Sequence, residues 1–175
     1  MVLASPGASA QKLAKSVYYQ AQAMGQSTQM GQTFSITLII NEYSTPDDQK
    51  ALLTAFGEKQ NEGLVNALSK MSTKGRLSIT GTLGYDVTYI RTFPLPDGGT
   101  KIRLVTNRPI RFGEAWSDSR SMDYNLSGLE LVVSPDKKKN SGMLAPACQF
   151  KLDKENQIQL ELLQNEWKLV NIRKR

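Results

Sequence analysis

The sequence predicts a mainly β domain of the α+β kind: an antiparallel β-barrel or sandwich of seven to nine strands, with one helical segment at about 46–71 after the first strand. Three observations carry this expectation. Apolar and polar residues alternate with a period of two over most of the chain from Thr33 onward, the spacing of a half-buried strand. Short turn-forming runs such as Pro94-Leu95-Pro96-Asp97-Gly98-Gly99 separate the alternating segments, and short turns favour antiparallel neighbours. One segment changes to helical spacing, directly after Thr45-Pro46-Asp47-Asp48.

The chain opens with Met1 to Ala10, small and apolar, and Ala8 and Ala10 have the A-x-A spacing that signal peptidase accepts. Residues 1–10 read as a signal-peptide remnant, which implies a periplasmic or extracellular protein. Residues 11–32 are rich in Gln, Ala, Ser, Met and Gly and read as an N-terminal arm or linker. Such an arm offers a route to a homo-oligomer if it docks on a neighbour's sheet edge. Residues 33–175 then form a single antiparallel β-rich domain.

Within that domain Thr33 to Tyr43 is the first strand, with Phe34, Ile36, Leu38 and Ile40 on one face. Thr45 suits a helix cap, Pro46 its first position, and Asp47 and Asp48 the positive end of its dipole. Leu53 and Phe56 form one apolar stripe, and Leu64, Leu68 and Met71 another. Between them Gly57 to Gly63 holds no apolar residue. Each glycine costs about 1 kcal/mol against alanine in a helix interior, so a break or bend falls at 57–63.

Beyond Gly75 the period returns to two. Leu77 and Ile79 share a face, as do Tyr85, Val87, Tyr89 and Phe93, with Arg91 on that apolar register. Lys101 to Asn107 returns after the turn at 94–99, and residues 108–121 form a long loop. Strands resume at 122–133, 144–152, 157–163 and 167–172, with Gly128 marking a bulge.

The chain has no histidine and one cysteine. Ser-His-Asp and Cys-His nucleophile systems are thereby removed, along with the usual zinc, copper and non-haem iron ligand sets. No metal or cofactor motif is present, and Asp47-Asp48 reads as helix-cap charge. Cys148, on the apolar register, reads as a buried and inert thiol. Ser134-x-x-Lys137 matches a nucleophile spacing but sits in a turn, and Gly81-Thr82-Leu83-Gly84 lacks the helices of a nucleic-acid clamp. Asp86, Glu114, Asp118, Asp123 and Glu130 are the carboxylates available for paired acid–base work.

The net charge of +6 lies partly in Lys137-Lys138-Lys139 and Arg173-Lys174-Arg175. Both runs read as solvated charge at a turn and a chain end rather than as a nucleic-acid site. The stretch with most recognition character is the 108–121 loop: Arg108, Arg111, Phe112, Glu114, Trp116 and Arg120 combine cations, an acid and aromatic rings. The alternative role for Phe112 and Trp116 is to plug the mouth of a barrel.

Gly84-Tyr85-Asp86, Phe93 to Gly99, Arg108-Pro109-Ile110 and Asn171-Ile172-Arg173 give the chain a resemblance. It resembles a family of uncharacterised exported proteins from soil-bacterial genomes. That resemblance implies export and a shared β-rich fold, and carries no activity or functional residue with it.

These readings point to an exported, non-catalytic binding domain for a small apolar or amphipathic molecule, or for a protein partner, at a barrel or sandwich end. The alternatives are a self-assembling subunit that docks through residues 11–32, and a histidine-free hydrolase or isomerase using carboxylates from 86–130.

Overall fold

A computed structural model describes residues 12–110, 124–152, 158–163 and 165–175. In chain order the elements are β1 (Lys12–Met24), β2 (Thr33–Glu42), α1 (Pro46–Lys70), β3 (Gly75–Ile79), β4 (Tyr85–Val87) and β5 (Tyr89–Pro94). They continue with β6 (Thr100–Thr106), β7 (Leu126–Val133), β8 (Ser141–Leu152), β9 (Ile158–Leu162) and β10 (Trp167–Lys174). Short 3-10 turns lie at Ser27–Gln29 and Lys137–Lys139. No helix among the described residues is long and apolar enough to cross a membrane.

All strand pairs are antiparallel and follow one path, β4-β3-β2-β1-β10-β8-β7-β6-β5, with β9 added to β8. The two outer members, β4 and β5, are consecutive in the chain and separated only by Thr88. The sheet therefore curls into a nearly closed barrel, with one α-helix among the described residues, between β2 and β3. This is the architecture that the alternation and the single helical segment imply.

Two expectations need correction. Residues 12–24, read from sequence as part of an arm, form β1, which pairs with β2 on one edge and β10 on the other. Tyr19, Ala21 and Ala23 are buried in the interior, while Tyr18, Gln22 and Met24 are exposed. Between Tyr19 and Met24 the strand is paired on both sides, and Lys12 to Tyr18 extend it beside β2, so residues 12–24 belong to the barrel wall rather than to a separate arm.

The second correction concerns Tyr85 to Phe93, which does not keep one alternation. The strand breaks at Thr88, so Val87 and Ile90 are both fully buried in the barrel. Tyr89 belongs instead to the cluster outside. The break is held by Ser44, which donates its N–H to the Ile90 carbonyl at 2.8 Å and accepts the Ile90 N–H through its hydroxyl at 2.9 Å.

One continuous cluster fills the barrel: Ile36, Leu38, Ile40, Leu77, Ile102, Leu104, Leu129, Leu131, Leu144 and Leu169 are among its members, none more than 2% exposed. Near one end Phe34 and Trp167 meet with ring centroids 4.7 Å apart and a 55° tilt, a favourable aromatic geometry. The Gly128 bulge falls where expected, in the β7–β8 ladder between Leu126 and Gly128. Its extra residue is on β8, in the stretch from Ala145 to Cys148 that contains Pro146, a residue that cannot donate to a ladder.

Helix α1 starts with a capping box: Thr45 Oγ1 accepts the Asp48 N–H at 2.9 Å, and Asp48 Oδ2 accepts the Thr45 N–H at 2.8 Å. It bends at Lys59 and Gln60, inside the glycine-flanked segment. The bend is sharp enough that a Cβ on Gly63 would stand 2.0 Å from the Ala55 carbonyl oxygen. Only glycine permits that approach of the two arms. The N-terminal arm is tied to the barrel by Lys74, whose Nζ lies 2.9 Å from Glu42 and 3.3 Å from Asp48 with its side chain 4% exposed.

Candidate functional site

The strands β5, β6, β7 and β8 present a second apolar surface, on the outside of the barrel, and α1 lies across it. Leu52 and Phe56 from the first arm of the helix, and Leu64 and Leu68 from the second, bury against Val105, Leu126, Ala145 and Cys148. The bend lets both arms face the sheet, where a straight helix would aim one arm away from a curved wall. Asn61, just past the bend, clamps the helix to β8. Its side-chain amide donates to the Phe150 carbonyl at 2.5 Å and its carbonyl accepts the Phe150 N–H at 2.6 Å.

Contact between helix and sheet is incomplete. A groove of about 550 Å³ remains between them, lined on the helix side by Gln49, Leu52, Leu53, Phe56, Leu64 and Leu68. Tyr89, Arg91, Phe93, Arg103, Val105, Glu130, Met143 and Phe150 line the sheet side. Gly128 contributes to the floor, and a Cβ there would meet nothing nearer than the Leu104 carbonyl oxygen at 3.7 Å. Its bare backbone leaves the groove deep. Leu53, 49% exposed, stands at the lip.

The polar groups gather at one edge. The guanidinium groups of Arg91 and Arg103 lie 5.5 and 5.4 Å from the Phe93 ring centroid, within cation–π range. Arg91 also donates to Gln49 Oε1 on the helix. Arg103 donates from Nε and Nη2 to Glu130 Oε2 at 3.0 and 2.8 Å, and Lys101 Nζ is 3.3 Å from Glu130 Oε1. Burial pushes the Glu130 carboxyl up, but the bonds and charges of Arg103 and Lys101 outweigh it and hold it below the ordinary carboxylate range. Burial raises the Tyr89 phenol, so it stays protonated beside Arg91. At this edge three cations face one carboxylate, which leaves a positive rim over an apolar trough.

Of the residues expected to form a recognition surface, only Arg108 is described. It is exposed and lies over the Tyr85 ring at 5.2 Å, away from the groove. Arg111, Phe112, Glu114, Trp116 and Arg120 lie outside the described residues, as do Asp118 and Asp123. Of the other carboxylates, Asp86 pairs with Arg76 at 2.8 Å on the surface, and Glu130 is the groove residue. Sequence reasoning names the two helix stripes, Arg91 on an apolar register and Glu130 among the carboxylates without bringing them together, and it misses Arg103.

The remaining chemical features have structural roles. Cys148 is fully buried beneath α1, and burial pushes its thiol up to about 12. Ser134 donates to Asp97 at 3.0 Å, away from Lys137, which begins the 3-10 turn. Gly81 and Gly84 both adopt φ of +82° in the β3–β4 turn. Among the described residues no three His, Cys, Asp or Glu side chains gather in a metal-binding arrangement. No known protein family, curated protein or solved structure matches this chain.

Proposed function

We propose that this protein is a binding domain that holds a small amphipathic molecule with an anionic head in the groove between α1 and the outer face of the barrel. The observation that carries the reading is a trough of about 550 Å³, apolar along its length and edged by Arg91 and Arg103. That volume lies within the roughly 300–1,000 Å³ of small-molecule sites. An acyl or aromatic body gains by leaving water among Leu52, Phe56, Leu64 and Leu68, about 25 cal/mol for each Å² buried. A carboxylate, sulfate or phosphate head gains a charge-assisted bond from the arginines. The barrel interior is filled by its own side chains, which favours the outer groove over a barrel end as the place of binding.

Binding without catalysis is favoured by the state of the groove acid. Glu130 is ionised and engaged by two cations, the reverse of the proton-bearing carboxyl that a carboxylate hydrolase uses as its acid. Export remains part of the reading. It rests on Ala8-Ser9-Ala10, and β1 begins at Lys12, so cleavage after Ala10 leaves every described strand intact. Recovering periplasmic protein that starts at Gln11 supports this, and finding residues 1–10 retained there counts against it.

The groove is tested with anilinonaphthalene sulfonate as a fluorescent anionic amphiphile and dodecanoate as its competitor. Gly128→Phe fills the floor from an open position. Saturable binding by the native chain, displaced by dodecanoate and absent from a folded Gly128→Phe variant, supports the groove. Absence of binding, or equal binding by that variant, rejects it.

A further inference from the structure

The two basic runs of the sequence, more than thirty residues apart, are brought together at one end of the barrel. Strand β10 pairs with the start of β8 through Leu169 and Gly142, so its last residues run beside the turn that precedes β8. Asn140 fixes the contact by donating from Nδ2 to the Ile172 carbonyl at 3.2 Å and accepting the Ser134 N–H through Oδ1 at 2.8 Å. The residue that follows Lys137-Lys138-Lys139 is thus bonded to the residue that precedes Arg173-Lys174-Arg175, which places both runs at the same end of β10. All six are exposed, and none forms a salt bridge among the described residues. The final residue is itself held, its N–H donating to the Tyr18 carbonyl of β1 at 2.9 Å.

The acids of this turn region do not cancel the charge. Asp136 turns its Oδ1 to the Lys138 N–H, and Asp97 accepts from Gly99 N and Ser134 Oγ. The six cations of the two runs therefore outnumber the acids of this turn region. Holding so many like charges in one place disfavours the compact state, and among the described residues the attraction of Lys139 to Asp97 offsets only part of it.

We propose that this end of the barrel docks electrostatically on an anionic lipid bilayer. The surface that fits is broad and diffuse in charge, because the exposed cations sit on a turn and on a strand end. Four of the six are lysines, point charges that do not require fixed planar partners. Neither basic run contains an aromatic residue, and the patch has no helix to enter a nucleic-acid groove, the devices by which proteins hold bases. A row of anionic headgroups satisfies such a patch without either device.

Flotation of the full chain with vesicles tests the proposal. Binding is expected to phosphatidylcholine mixed with phosphatidylglycerol, not to phosphatidylcholine alone, and to vanish in high salt. At about 1 kcal/mol for each basic residue near such a surface, Lys137→Gln, Lys138→Gln and Lys139→Gln together weaken partitioning on the order of a hundredfold. The same is expected for Gln at Arg173, Lys174 and Arg175, which lie on the other segment. A control triple on the helix, Lys50→Gln, Lys59→Gln and Lys70→Gln, removes equal charge elsewhere and is expected to leave binding within a few-fold of native. The proposal is overturned if the native chain ignores anionic vesicles, if the helix control weakens binding as much as the end triples, or if duplex DNA is bound more tightly than vesicles at equal salt.

Discussion

Asn61 completes the hydrogen bonding of Phe150 as a neighbouring strand would, giving one bond to its carbonyl at 2.5 Å and taking one from its N–H at 2.6 Å. A single side chain thereby joins the bend of α1 to β8. Replacing it with alanine leaves both backbone groups of Phe150 to find water in a partly buried setting, at about 1–3 kcal/mol for an unsatisfied group. Asn61→Ala is expected to lose about 2 kcal/mol in urea unfolding and to weaken amphiphile binding with it. Unchanged stability would remove this side chain from the account of how the groove is held open.

Two glycines of the same helix are expected to respond in opposite directions. A Cβ at Gly57 meets nothing within 4 Å, whereas one at Gly63 would stand 2.0 Å from the Ala55 carbonyl oxygen. Gly57→Ala therefore gains the helix preference of alanine, about 0.5–1 kcal/mol. Gly63→Ala forces the two arms apart and is expected to lose more than about 2 kcal/mol. Thermal unfolding of the pair decides; a stabilised Gly63→Ala would mean the arms do not touch as described.

Lys74 gives a pH-dependent expectation. Burial alone would push its ammonium down, but the bonds and charges of Glu42 and Asp48 outweigh this and hold its pKa above the ordinary 10.5. A pKa raised on folding stabilises below the unfolded value, and the contribution disappears as pH climbs through the folded one. Lys74→Met is expected to lose about 3 kcal/mol at neutral pH. The gap to native should hold up to about pH 10.5 and close above it. A gap that narrows well below that point would contradict the ion-pair account.

Glu130 occupies Arg103 in the empty groove, so removing its charge should help an anionic ligand. Glu130→Gln is expected to tighten dodecanoate binding roughly threefold, as suits a partly exposed pair worth at most about 1 kcal/mol. Its folded pKa lies below 4.5, so the ion pair is intact above that value and its stabilisation is lost as pH falls through the lower folded one. The variant should therefore lose less stability than native on acidification. Titration calorimetry and acid unfolding read the two effects separately, and weaker dodecanoate binding by the variant would remove Arg103 from the head-group role.

Much of the fold is legible in the residues. The capping box at Thr45, the bend between Gly57 and Gly63, the bulge near Gly128 and seven strand positions all follow from local pattern. Strand β1 does not, because its inward residues include Ala21 and Ala23. Alanine favours helix and fills little space, so the alternation with Gln20 and Gln22 gives a faint signal. The groove was hidden for a different reason. Where helix α1 covers the wall, both faces of a strand are buried, as with Leu104 inside and Val105 outside. Period-two reasoning assigns all such residues to one interior. Such reasoning places Tyr89 and Phe93 on the same face as Val87, and the phase change at Thr88 that turns them toward the helix has no counterpart in residue type.

That same phase change has a consequence for how the molecule tolerates being cut. In a barrel closed by ladders alone, severing one hairpin leaves the ring laced together on either side. Here β4 belongs to one margin of the sheet and β5 to the other, and the peptide bonds around Thr88, with the two bonds between Ser44 and Ile90, join them. A nick at that residue would leave the seam to the Ser44–Ile90 bonds and the core packing, and loosen two strand edges that can recruit another chain. Permuted versions of the protein should accept new termini at the exposed turns at 80–84 or 95–98, and self-associate more than the native chain when opened at Thr88.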